Sequence, residues 1–212
     1  MKAETAAYIA AFYTEHPALA GTAPALTQAV SLTAEAFAAG HKLLTAGSGG
    51  SCSDAEHITG ELLKSFRLKR GVDPAFEAAY VQRFGTDGNL RALEGGLPAI
   101  CLTQNFPILT ALLNDNGAGT VFSQLAYDLA RPGDVFLAIS TSGNSAILLD
   151  AMKTAAARGA KNILLSGASG GAMRDFADTA ILAPATETYR VQEIHIRLYH
   201  LYCAALEIEF FS

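Results

Sequence analysis

Residues 134–159 read DVFLAISTSGNSAILLDAMKTAAARG and carry the clearest structural pattern in the chain. Residues 135–139 are a continuous apolar run without alternation, which is typical of a strand buried on both faces of a parallel sheet. Apolar residues then recur at helical spacing from Ile147 to Ala155, and Gly159 ends the helix. This stretch therefore predicts a buried parallel strand that leads into a helix.

A turn rich in hydroxyl groups separates this strand from its helix. The start of a helix offers free backbone N–H groups and the positive end of the helix dipole, which together favour phosphate. In the alternative interpretation Ser145 only caps the helix and the other hydroxyls only stabilise the turn. Because the stretch lacks GxxxxGK[ST] and GxGxxG, a small phosphorylated ligand is favoured over a nucleotide. The turn consists of Ser140, Thr141, Ser142, Gly143, Asn144 and Ser145.

Composition narrows the class of protein. A chain of 212 residues fits one domain, and a net charge of -5 without a basic cluster argues against a nucleic-acid surface. No apolar run approaches the ~20 residues of a membrane helix, and the acidic, amphipathic residues 1–13 are neither a secretory signal nor a transit peptide. An odd number of cysteines without CxxC predicts reduced thiols in a cytoplasmic protein. The cysteines are Cys52, Cys101 and Cys203.

Short apolar runs alternate with helical patterns along the whole chain. This alternation predicts an α/β fold of three layers, in which helices flank a five-stranded parallel sheet. Two helices at 3–13 and 23–39 precede the sheet, and a glycine-rich excursion at 67–96, with a short helix at 74–84, forms a lid or an interface element. Strands are predicted at 41–46, 98–103, 135–139, 162–165 and 179–183, and further helices at 53–66, 119–130 and 188–210.

Two further turns follow predicted strands. The first, at 47–51, contains Ser48, Gly49, Gly50 and Ser51, and its glycines allow the backbone to approach a ligand closely. The other turn, at 166–171, follows the fourth strand. Because ligands bind at the carboxyl ends of strands in open α/β sheets, we expect the turns after strands one, three and four to converge on one pocket.

Two helices carry the side chains that can perform chemistry. His57 and Glu61 are four residues apart and share a helix face. On the last helix Gln192 and His200 can share a broad face, whereas His195 lies about 140° from His200, so only one of the two histidines faces the site. The residues fit a general acid and base, zinc ligands, or histidines satisfied in a core or an interface. The zinc set would be His57, Glu61, Gln192 and His200.

Three segments resemble the sugar isomerase (SIS) domain and, within it, the phosphoheptose isomerase family, also called sedoheptulose 7-phosphate isomerase. The turn STSGNS is typical of the domain, whereas DAxHxxxEL together with QEIHI and a later histidine is typical of the heptose branch. The likeness covers most of the chain except 67–96. The segments are GSGGSCSDAEHITGEL (47–62), AISTSGNSAILLDAMKTAAARGAKNILLSGASGG (138–171) and YRVQEIHIRLYH (189–200).

The resemblance implies a single flavodoxin-like SIS domain over 1–212, with helices in 1–40 and an α/β core in 41–212. It implies isomerisation of sedoheptulose 7-phosphate to D-glycero-D-manno-heptose 7-phosphate through an enediol, with Glu61 and His200 as catalytic residues. It also implies a homotetramer with shared active sites, zinc in some members and no nucleotide or organic cofactor. Phosphate ligands would be Ser51, Ser140, Thr141, Ser142 and Ser145, with Asp115 and Gln192 near the sugar chain.

Several departures leave the exact substrate open. Ser48 stands where the family usually has Asn, Tyr189 where many members have Asp, and the segment 67–96 is longer than usual. Two alternatives therefore stay beside the isomerase. One is a non-catalytic module that binds a phosphosugar or a partner, as in the replication-initiator-associating relatives. The other is an isomerase or lyase for another phosphorylated sugar or amino sugar.

Overall fold

A computed structural model describes residues 1–212 and contains one five-stranded sheet with all strands parallel. The strand order is β2-β1-β3-β4-β5, which is the flavodoxin-like order. The predicted fold class is confirmed. The strands are β1 (Leu43–Gly47), β2 (Ala99–Cys101), β3 (Val135–Ser140), β4 (Lys161–Ser166) and β5 (Thr179–Leu182).

Helices cover both faces of this sheet. They are α1 (Ala3–Glu15), α2 (Ala23–Ala38), α3 (Gly50–Leu63), α4 (Pro74–Phe84), α5 (Phe106–Asp115), α6 (Val121–Leu129), α7 (Ala146–Ala157) and α8 (Thr188–Phe211). Side chains of the strands alternate between two apolar cores. Leu137 and Ile139 of β3 pack with α1, α2, α3 and α8, whereas Phe136 and Ala138 pack with α5, α6 and α7. No helix combines the length and the apolar character that crossing a membrane requires.

Two helices differ from the prediction. Helix α3 begins at Gly50 rather than 53 and ends at Leu63 rather than 66, because Lys64 takes an extended conformation. As a result Ser51 lies in the first turn of α3. Helix α5 is absent from the predicted elements, and its last residue is Asp115. Its exposed apolar residues, including Phe106 and Leu113, obscure the amphipathic pattern.

The excursion at 67–96 stands away from both cores. Helix α4 has no buried residue, and it begins where the Asp73 carboxylate accepts the Ala75 N–H at 2.7 Å. The two ends of the excursion meet, since the Gly95 N–H donates to the Arg70 carbonyl at 3.3 Å. The excursion is therefore an appendage fixed at its base.

All three cysteines are free thiols, as predicted.

Candidate active site

Three strand ends lie side by side at one edge of the sheet. Gly47 of β1 pairs in register with Ile139 of β3, and Ser140 of β3 pairs with Ser166 of β4. The turns that follow these strands therefore start next to one another. The strand ends are adjacent as predicted, whereas the pocket on which the three turns should converge stays a prediction.

The turn after β4 packs against the turn after β3 and forms hydrogen bonds with it. Gly143 has φ of 66°, and its carbonyl accepts the Met173 N–H at 2.9 Å. The Asn144 side chain accepts the Ala172 N–H at 2.9 Å. A Cβ atom on Gly143 would overlap the carbonyl of Gly170. These contacts fix the backbone of residues 140–145 and require glycine at 143.

The hydroxyl groups of this turn divide into two kinds. The oxygens of Ser140 and Ser142 accept N–H groups within the turn, at 3.1 Å from Gly143 and 3.2 Å from Asn144. Ser145 precedes α7 but makes no capping hydrogen bond. The interpretation that Ser145 only caps the helix is therefore wrong. Helix α3 is also uncapped, because Gly49 precedes it, so two helices present free N–H groups at this edge.

The other residues predicted to bind the ligand differ in their burial and in their contacts. Ser51 is buried, whereas Ser48, Gly49 and Gly50 are exposed. The Gln192 side-chain amide lies against Gly50, so closely that a Cβ atom there would overlap it. Asp115 is exposed, and its carboxylate bonds only to the neighbouring Asn114, at 2.7 Å. The structure thus brings Gln192 to the first turn of α3 but gives Asp115 no hydrogen bond to the site.

A second group of side chains forms where α3 packs against α8. The Nε2 atom of His57 lies 2.9 Å from Glu61 Oε1 and 3.5 Å from His200 Nε2. The Nδ1 atom of His57 lies 3.0 Å from the Tyr199 hydroxyl. These contacts bring together residues that are more than 130 positions apart in the chain. We call His57, Glu61 and His200 the acid–base cluster.

Burial shifts the pKa of His200 in this cluster and of Asp54 beside it. It lowers the pKa of His200, and the nearby His57 lowers it further, while Glu61 opposes the shift. Burial also raises the pKa of Asp54, against the effects of His57 and Tyr199. The net shift favours the neutral imidazole of His200. Neither Asp54 nor Tyr199 is among the residues predicted for the site, although Asp54 lies three residues before His57 and hence on its helix face.

His195 lies away from the cluster, which agrees with the expectation that only one of the two histidines faces the site and with the choice of His200 that the resemblance implies. Its side chain is fully buried on the core side of α8, and neither ring nitrogen has a well-formed hydrogen bond. Burial lowers its pKa to about 4, a shift that the nearby Ser166 backbone partly opposes. His195 is therefore a neutral core residue, and His200 is the histidine of the site.

The acid–base cluster has the donor atoms of a metal site. One nitrogen each of His57 and His200 and one oxygen of Glu61 lie within 4.8 Å of one another. Two imidazoles and a carboxylate suit zinc, and the bond from His57 Nδ1 to Tyr199 is of the kind that orients metal-binding histidines. No hydrogen bond connects Gln192 to the cluster. Three of the four predicted ligands thus come together.

Arg190 has no hydrogen bond or ion pair with the residues of this site. Its side chain pairs with Glu187 at 2.7 Å and contacts the ring of Tyr189. All three side chains are exposed. The structure therefore gives Arg190 a surface ion pair.

Comparison with known proteins agrees with this geometry. A model of the SIS domain matches residues 80–167. The phosphoheptose isomerase of Citrifermentans bemidjiense is 37% identical over 89% of this chain and 85% of its own length. That of a Roseiflexus species is 37% identical over 90% of this chain and 84% of its own.

Solved structures lead to the same family. Phosphoheptose isomerase GmhA from Neisseria gonorrhoeae has a TM-score of 0.73 at 30% identity, with 97% of both chains covered. The phosphoheptose isomerase of Francisella tularensis also has a TM-score of 0.73, at 26% identity, with 98% of this chain and 100% of that chain covered. The chain belongs to the phosphoheptose isomerase family and is an isomerase with a SIS domain.

Proposed function

We propose that the chain converts sedoheptulose 7-phosphate to D-glycero-D-manno-heptose 7-phosphate through an enediol. The observation that carries this proposal is the acid–base cluster, in which a carboxylate and a neutral imidazole from α3 and α8 meet. The names of the relatives support the substrate class. A module that only binds phosphosugars has no need of this pair of proton-transfer groups.

The phosphoryl group binds at the sheet edge, where α3 and α7 both start without a cap. Backbone N–H groups and hydroxyls supply the donors there, and both helix dipoles favour the negative charge. Asp115 and Gln192 contact the sugar chain in this proposal. The phosphate-binding residues are Ser48, Gly49, Gly50, Ser51, Ser140, Thr141, Ser142 and Ser145.

The carbon skeleton extends from the phosphate site along α3 toward Glu61. Ser51 and Glu61 are ten residues apart, about 15 Å along the helix axis. In this proposal the substrate and the side chains that reach toward it from both regions together span this separation.

Two pairs of proton transfers complete the isomerisation. The Glu61 carboxylate takes a proton from C1, beside the C2 carbonyl, while His200 donates a proton to the carbonyl oxygen, which gives the enediol. His200 then takes back a proton from the C1 hydroxyl, and protonated Glu61 donates its proton to C2, so that C1 becomes the aldehyde carbon and both groups are restored. His57 orients Glu61 through their 2.9 Å hydrogen bond. Such positioned groups contribute roughly 100- to 10,000-fold each.

Zinc is a second proposed ligand of the same cluster. His57, Glu61 and His200 would hold it, and Gln192 would be the fourth ligand that the resemblance implies. A zinc ion would supply Lewis-acid polarisation of the substrate oxygens.

We further propose a cytoplasmic homotetramer. The exposed apolar side chains of α4 and α5, including Phe76, Phe84, Phe106 and Leu113, support association between copies of the chain. Active sites shared between subunits remain part of this proposal.

Replacing Glu61 with Gln tests the reaction. We expect kcat for sedoheptulose 7-phosphate to fall roughly 100- to 10,000-fold, with phosphosugar affinity largely unchanged. Turnover is measured by following both sugar phosphates, and affinity by calorimetry. Unchanged kcat in Glu61→Gln would contradict the assigned role.

The same protein preparations test whether the cluster binds zinc and whether the reaction needs it. Metal content is measured by mass spectrometry in the wild type and in Glu61→Gln, before and after chelation. If zinc binds to the cluster, the variant contains less of it than the wild type. Full wild-type turnover after complete removal of metal would exclude a catalytic role for zinc. A panel of phosphorylated ketoses and amino sugars tests the substrate.

A further inference from the structure

A buried ion pair lies beneath the acid–base cluster. Arg70 and Glu207 have side chains that are 0% exposed, and Arg70 Nε donates to Glu207 Oε1 at 2.8 Å. Arg70 lies at the base of the excursion, near its first residue, and Glu207 lies near the end of α8. The pair therefore connects α3, α8 and the excursion.

Arg70 caps the carboxyl end of α3. Its guanidinium donates to the carbonyl of Leu62 at 2.7 Å and to the carbonyl of Glu61 at 2.9 Å. The last carbonyls of a helix have no partner within the helix, so these bonds replace missing ones. Arg70 thus holds the backbone of the residue that carries the reactive carboxylate.

Glu207 holds the turn that follows α3. Its carboxylate accepts the N–H groups of Phe66 at 2.9 Å, Arg67 at 2.9 Å and Leu68 at 3.1 Å. Burial would raise the pKa of Glu207, but these bonds and Arg70 lower it, so the carboxylate is charged. The ring of Phe66 lies 5.5 Å from the ring of His200. Glu207 thus fixes a neighbour of the reactive imidazole.

Through these contacts one ion pair holds both the backbone of Glu61 and a neighbour of His200. Burying two charges has a large desolvation cost, and buried ion pairs are often no more stabilising than apolar replacements. We propose that Arg70 and Glu207 are positioning residues that set the separation between Glu61 and His200. This inference rests on the proposed function, because it assumes that Glu61 and His200 transfer the protons.

Two conservative variants test this inference. Arg70→Lys keeps the charge, but a single ammonium cannot bond Glu207 and both carbonyls in the geometry of a guanidinium. Glu207→Gln keeps the shape and removes the charge. We expect kcat to fall about 10- to 100-fold in each, because small displacements of catalytic groups have effects of this size. The KM for the phosphosugar and the affinity for inorganic phosphate should change less than about twofold.

Asp134→Asn is the matched control. The Asp134 side chain is 2% exposed, pairs with Lys42 and accepts the backbone N–H groups of Lys42 at 3.0 Å and Arg131 at 2.8 Å. It contacts none of the cluster residues. Thermal unfolding should show losses of stability of the same order in Asp134→Asn and Glu207→Gln, while only Glu207→Gln lowers kcat. Equal loss of kcat in both, or unchanged kcat in folded Arg70→Lys and Glu207→Gln, would overturn the inference.

A readout without substrate separates this inference from the proposed function. In NMR spectra of histidine-labelled protein, we expect the ring signals of His57 and His200 to move in Arg70→Lys and Glu207→Gln but not in Asp134→Asn. If the wild type has no turnover, the proposed function fails, and these signals still decide whether the ion pair positions the cluster. Unmoved ring signals in both variants would refute the positioning.

Discussion

The turns that we propose bind phosphate and the acid–base cluster are built in different ways. The turn after β3 uses six consecutive residues and is fixed by backbone contacts with the turn after β4. The cluster uses side chains of α3 and α8, and its separation depends on how two helices pack. We therefore expect binding to be sensitive to changes of the backbone at the sheet edge. Catalysis should be sensitive to single side chains and to helix position.

The largest effect on stability is expected at Gly143. In Gly143→Ala the positive φ of 66° costs about 1 to 2 kcal/mol, and overlap with Gly170 adds up to about 3 kcal/mol. Chemical denaturation measures the total, and the KM for the phosphosugar should rise because the turn must move. Gly40→Ala is the control, since Gly40 has φ of 80° and open space around it. Similar losses in both variants would show that the contact between the turns is unimportant.

The second-largest effect on stability is expected at His195, which is buried on α8, the helix that connects the two regions. Its pKa in the folded protein is about 4, against 6.5 for an ordinary histidine. The unfolded chain therefore binds the proton first as pH falls, so stability is full above pH 6.5 and declines toward pH 4. The difference corresponds to about 3 kcal/mol.

Denaturation curves from pH 7.5 to 4 measure this decline. In His195→Leu the part that His195 contributes should disappear, while the decline caused by other groups remains. An identical pH dependence in the variant and the wild type would contradict a neutral buried His195. A loss of kcat in His195→Leu at pH 7.5, where the variant is still folded, would instead connect His195 to the reaction.

The smallest effect is expected at Ser145, which precedes α7 without capping it. Loss of a true capping side chain costs about 1 kcal/mol, so Ser145→Ala should change stability by less than about 0.5 kcal/mol. The KM should rise about tenfold, because a hydrogen bond to a charged group is lost. Hydrogen exchange at the first turn of α7 should stay unchanged. In the control Asp73→Ala, which removes a true cap, exchange at the start of α4 should accelerate.

Much of the sheet could be predicted because its signals are local. β3 lies within its predicted apolar run plus Ser140, and α4 has the predicted bounds 74–84. β2 is shorter than its predicted run, since it is an edge strand with a single neighbour. Helix α5 was missed because its apolar residues are exposed, and its pattern does not separate a core face from a solvent face.

The sequence by itself determined the α/β class, the hydroxyl-rich turn and the family, because these depend on periodicity and on motifs of consecutive residues. Spacing also separated His195 from His200, since a helix rotates about 100° per residue. Only the tertiary structure showed that His57 bonds to Tyr199, that Ser145 does not cap α7 and that Arg70 and Glu207 are joined beneath the cluster. The His57–Tyr199 and Arg70–Glu207 contacts depend on the packing of segments far apart in the chain, and no local pattern records that packing.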